Sequence, residues 1–156
     1  MNKKHNLRKR LHVVKRQREY GNTEAFNWCF DKFRKLLGDL GCNVCSEDEY
    51  SDFWEITKDD YKRAITILKM MKDVPIDGDY KEQREKIDLI YNSEEYQKLF
   101  SDDELSASIT ADDIDLNDVI RSIKNLDIDL NELIIIMVSF LNEADKNSNW
   151  IQFEAW

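Results

Sequence analysis

The chain has 156 residues, with 32 Asp or Glu against 23 Lys or Arg, a formal charge of −9, and only four glycines and one proline. That scarcity of Gly and Pro excludes a collagenous repeat, a Gly-rich linker and a loop-dominated fold, while 42% apolar residues and seven Phe, six Tyr and four Trp exclude a wholly disordered acidic chain. The longest uncharged apolar run, Leu133 to Leu141, is half the roughly 20 residues of a membrane helix, and no apolar segment follows the charged start, so neither a span nor a secretory signal is expected and the default location is cytoplasmic.

Charge is segregated along the chain. Residues 1–20 hold eight Lys or Arg against Glu19 alone, whereas residues 21–156 hold 15 against 31 acids. The expected organisation is a basic N-terminal arm, residues 1–9, ahead of a single acidic domain, residues 10–156, long enough to bury its own core.

The first predicted element is a strand at Leu11-His12-Val13-Val14, where β-branched residues and a loose alternation outweigh the helical alignment of Leu7, Leu11 and Val14. Asn22 and Thr23 are cap residues for a helix whose apolar face carries Phe26, Cys29, Phe30, Phe33, Leu36, Leu37 and Leu40, and Gly41 ends it. After the polar stretch Ser46 to Asp52, Phe53 to Thr57 reads as a strand. Thr57 and Asp60 then have capping-box spacing ahead of a helix bearing Tyr61, Ala64, Ile65, Leu68 and Met71.

A turn from Val74 to Gly78 leads to helical segments at Tyr80–Tyr91 and Glu94–Phe100, whose break at Asn92-Ser93 reads equally as a kink. Asp102 to Asp113 reads as a surface loop. The octapeptide starting at Asp113 (Asp-Ile-Asp-Leu-Asn-Asp-Val-Ile) recurs at Asp127 as Asp-Ile-Asp-Leu-Asn-Glu-Leu-Ile, which predicts two helix starts capped by Asp115 and Asp129. The second helix, apolar from Leu133 to Val138, belongs at the centre of the core. Finally, Trp150 to Trp156 alternates with period two, with Ile151, Phe153 and Ala155 on one face and Trp150, Gln152, Glu154 and Trp156 on the other. The expected fold is α+β: about five helices packed on a small, mainly antiparallel sheet of about three short strands. Its expected core includes Phe30, Phe33, Leu37, Ile65, Leu68, Leu133, Ile134 and Met137.

No enzyme, metal or cofactor template is complete. The two Asp-x-Asp-x-Asn runs begin like a calcium loop, but the required glycine is Asp118 or Glu132 and the bidentate glutamate is Lys124 or Val138. Cys42-Asn-Val-Cys45 is half a zinc site, with Cys29, His5 and His12 as the remaining donors, and its place after a helix C-terminus does not favour a reactive thiolate. Gly38-Asp-Leu-Gly41 has the spacing of a backbone clamp for nucleic acid, but its acid would repel phosphate and a helix end explains it better. The paired helices after Asp115 and Asp129 do not form a DNA reader, since the second is apolar and acidic.

Two features point to binding. The arm carries Lys3, Lys4, Arg8, Lys9 and Arg10, continued by Lys15, Arg16 and Arg18, and could neutralise phosphates, although a solvated arm or one paired with the acidic body is the more ordinary reading; Trp150 and Trp156 are of the residue type that anchors interfaces, although packing beneath a helix explains them more simply. The expectation is a small non-catalytic protein-binding or regulatory protein, inhibitor- or immunity-like, whose acidic surface meets a partner with a basic surface. The alternative is a nucleic-acid-associated protein using residues 1–20.

Overall fold

The computed structural model describes residues 11–15, 19–22, 30–46, 53–101 and 110–155. Its strands are β1 (Leu11–Lys15), β2 (Glu19–Asn22), β3 (Phe53–Thr57) and β4 (Trp150–Ala155), and its α-helices are α1 (Phe30–Asp39), α2 (Lys58–Met70), α3 (Tyr80–Tyr91), α4 (Glu94–Ser101), α5 (Leu116–Leu126) and α6 (Leu130–Glu143). Single 3-10 turns at Met71–Asp73 and Ala111–Asp113 complete the described elements. The α+β expectation holds. None of the described helices is long and apolar enough to cross a membrane.

The sheet runs in the order β2-β1-β4-β3, with every pairing antiparallel. Val13 and Trp54 stand opposite Phe153, so the N-terminal and C-terminal strands are neighbours. Three strands match the periodicity argument, and β2 corrects the expected count. Asn22, read as a helix cap, is the last residue of β2 and stands opposite His12. Glu-Tyr-Gly-Asn has no alternating apolar pattern, and it pairs with β1 at the edge of the sheet.

Phe153 organises the packing. Phe33 of α1, Tyr61 of α2 and Phe140 of α6 surround it at ring-centroid distances of 5.8, 6.0 and 5.6 Å, and Trp54 stacks on it at 4.4 Å. Three helices therefore converge on the sheet face that carries Trp54, Ile56, Ile151 and Phe153. Of the expected core residues, Phe33, Leu37, Ile65, Leu68, Leu133, Ile134 and Met137 are buried, and the side chain of Phe30 lies outside the described residues. Helix α6 departs from all-round burial: Leu133, Ile134, Ile136, Met137 and Phe140 face inward, but Ile135 is 68% exposed. A helix lying on a sheet must show its far side to solvent even where the sequence is apolar there.

The helix boundaries follow local chemistry. Gly41, at φ 88°, ends α1 as expected: its N–H donates to Gly38 O and the Cys42 N–H to Leu37 O, the Schellman pattern. Thr57 Oγ1 accepts from the Asp60 N–H at 3.2 Å to start α2. Between α3 and α4, Ser93 Oγ accepts from the Tyr96 N–H and donates to Ile90 O, so Asn92-Ser93 is a helix boundary and not a kink. The expected loop at Asp102–Asp113 is corrected at its end, where Thr110 and Asp113 form a capping box around a 3-10 turn; residues 102–109 lie outside the described residues. Asp115 accepts from the Asn117 N–H, and Asp129 from those of Asn131 and Glu132, which accounts for the repeated octapeptide as two N-caps. Asp127, at φ 54°, closes α5 in the left-handed conformation that Asp and Asn tolerate best after glycine.

Candidate functional site

Polar groups inside the molecule are used for folding. Tyr61 OH donates to Met137 O at 2.8 Å, joining α2 to α6, and Tyr96 OH donates to Ala111 O. Tyr91 OH donates to Ile114 O and accepts from the Leu116 N–H, so it holds the start of α5 against the end of α3. Burial pushes all three phenols above their ordinary value.

The two cysteines of the Cys-x-x-Cys run serve different structural purposes. Cys42 is buried, its thiol directed at Asp60 O, and burial followed by the neighbouring Asp60 charge pushes that thiol far up, although Arg63 opposes the shift. Burial of this kind favours the thiol over the thiolate. Cys45 is half-buried and exchanges two main-chain hydrogen bonds of 2.9 Å with Glu55, extending the sheet beyond β3 by one residue. Asp60 also accepts from the Asn43 N–H and holds the buried Arg63, which reaches Gly41 O at 3.1 Å and lies over the Phe100 ring. This guanidinium connects α2 to the end of α1 and to α4. Among the described residues, no group of three or more His, Cys, Asp or Glu side chains is arranged to hold a metal ion.

The acids gather on the surface. Thr110 to Glu132 contains Asp112, Asp113, Asp115, Asp118, Asp127, Asp129 and Glu132 against Arg121 and Lys124. Six of these seven are exposed and Asp118, half-exposed, pairs with Arg121. Several sit at helix starts, where the partial positive charge of unpaired N–H groups favours a carboxylate.

A second surface feature is a groove of about 260 Å³ where the end of α2 meets α3 and α4. Its apolar lining comes from Met70, Val74, Leu89 and Ile90, and its charged lining from Asp73, Lys86 and Glu95. Val74 and Ile90 are buried, while Leu89 is 66% exposed. The periodicity Gln83-Ile87-Ile90 marks the inward face of α3, and the adjacent Leu89 is thereby turned outward. That offset was visible in the sequence; the groove beside it depends on where α2 ends and was not.

Of the residues singled out for binding, Trp150 alone lies among those whose side chains are described. Trp150 is half-buried at the start of β4, opposite Thr57, with its N–H donated to Ser148 Oγ. Lys3, Lys4, Arg8, Lys9, Arg10 and Trp156 lie outside the described residues. No family model matches the chain, and no curated protein or solved structure matches it either.

Proposed function

We propose that this protein is a small non-catalytic binding protein, inhibitor- or immunity-like, that engages a basic partner through its acidic surface. The observation that carries this reading is the disposition of charge: residues 21–156 hold 31 acids against 15 bases, and the acids around α5 and α6 stand in solvent. A surface of that kind steers cationic partners and rejects acidic ones. The buried tyrosines and Cys42, whose protons are held tightly by burial, support a structural use of the interior.

The test is affinity capture from the source cell at low and high salt, followed by titration of the purified captured species. Direct binding of a basic protein, weakened by salt and by carboxamide substitution of the exposed acids, is the expected result. Capture of nucleic acid instead, abolished by deleting residues 1–9, would replace this reading with that of a nucleic-acid-associated protein acting through its basic arm.

A further inference from the structure

Resting on that reading, we propose that the groove between the end of α2 and helices α3 and α4 receives an amphipathic, cationic helix of the partner, anchored by apolar side chains against Leu89. A lone exposed leucine needs no explanation, but this one stands beside a concavity lined by Met70, Val74 and Ile90, where an aliphatic side chain can be removed from water. The rim supplies the charge argument. Asp73 and Glu95 line the groove, Glu85 lies one turn before Leu89 on the same side of α3 and Glu82 one turn further, while Lys86 is the one cation in the lining.

None of Asp73, Glu82, Glu85 and Glu95 enters a salt bridge with a described residue. An apolar lining whose rim holds Asp73, Glu82, Glu85 and Glu95 against Lys86 is complementary to a helix with aliphatic residues on one stripe and Lys or Arg beside it. A second copy of this chain is the poorer occupant, because each copy carries a charge of −9. Phosphate-bearing ligands would meet the same repulsion. Ile135, as exposed as Leu89, lies on α6 and belongs to none of the described cavities, which makes it a control.

The probes are a fluorescent Leu/Lys helical peptide with apolar residues on one face, and polylysine as a purely electrostatic ligand, each titrated against the full chain and its variants by anisotropy. Leu89→Gln should weaken the peptide about tenfold and leave polylysine unchanged, and Asp73→Asn with Glu95→Gln should weaken the peptide several-fold. Ile135→Gln should have no effect. Circular dichroism checks that each variant is folded. Equal peptide affinity for the wild type and Leu89→Gln, or equal loss in Ile135→Gln, overturns the groove assignment and leaves the acidic-surface reading standing. Failure of both peptide and polylysine to bind the wild type overturns both.

Discussion

Phe153 and Leu133 illustrate how single side chains are tied into the core. Leu133 is fully buried on α6, and its truncation to Ala should cost about 2–5 kcal/mol, the sum of lost transfer free energy and the cavity left behind. Chemical denaturation measures this, and an unchanged midpoint would mean that the helix packs elsewhere. Tyr61 separates two contributions at one residue. Its ring packs against Phe153 while its hydroxyl bonds Met137 O, so Tyr61→Phe keeps the packing and should lose only about 0.5–1.5 kcal/mol, whereas Tyr61→Ala should lose several times more.

At the level of elements, boundaries are determined by a few polar atoms. Asp115 and Asp129 each satisfy main-chain donors that would otherwise be unpaired at a helix start, and either one changed to Ala should cost about 1 kcal/mol. Asp129 satisfies two donors and Asp115 one, so the loss should be larger at Asp129; thermal unfolding of the two variants side by side checks the order. These starts were readable because capping is local, involving a side chain and an N–H two or three residues away. The α3–α4 break was not readable to the same degree, since Ser93 can cap α4 only if the chain leaves α3 at Asn92, and that exit is favoured by Tyr91 reaching Ile114 and Leu116. Strand β2 was missed for a related reason: its partner, β1, supplies what its own residues lack.

For the whole molecule, the raised pKa values of Cys42, Tyr61, Tyr91 and Tyr96 have one consequence. Each group is neutral when protonated and has a folded pKa above its unfolded value, so its contribution is fully present below the unfolded pKa and is lost as pH rises past it. Those unfolded values are about 8.5 for Cys and about 10 for Tyr, which predicts stability falling from about pH 8.5 upward and more steeply above about pH 10. Replacing Cys42 by Ala should remove the first part of the decline and leave the second. Denaturation midpoints measured across this range check both, and stability rising from pH 8 to 10 in the wild type would contradict the burial of these groups.

The sequence by itself determined the α+β class, the strands β1, β3 and β4, nearly every helix, the Asp caps and most of the core, because apolar period and capping spacing are local signals that the folded chain has no reason to override. It also determined the excess of acid over base. Only the tertiary structure decided that Ile135 stays outside: it has ordinary core chemistry, and its exposure follows from which side of α6 meets the sheet, whereas the outward turn of Leu89 already follows from the period of α3. The groove beside Leu89 was likewise decided by packing, since it combines Met70 at the end of α2 with Glu95 on α4, residues whose juxtaposition depends on a long-range fit that neither segment encodes alone.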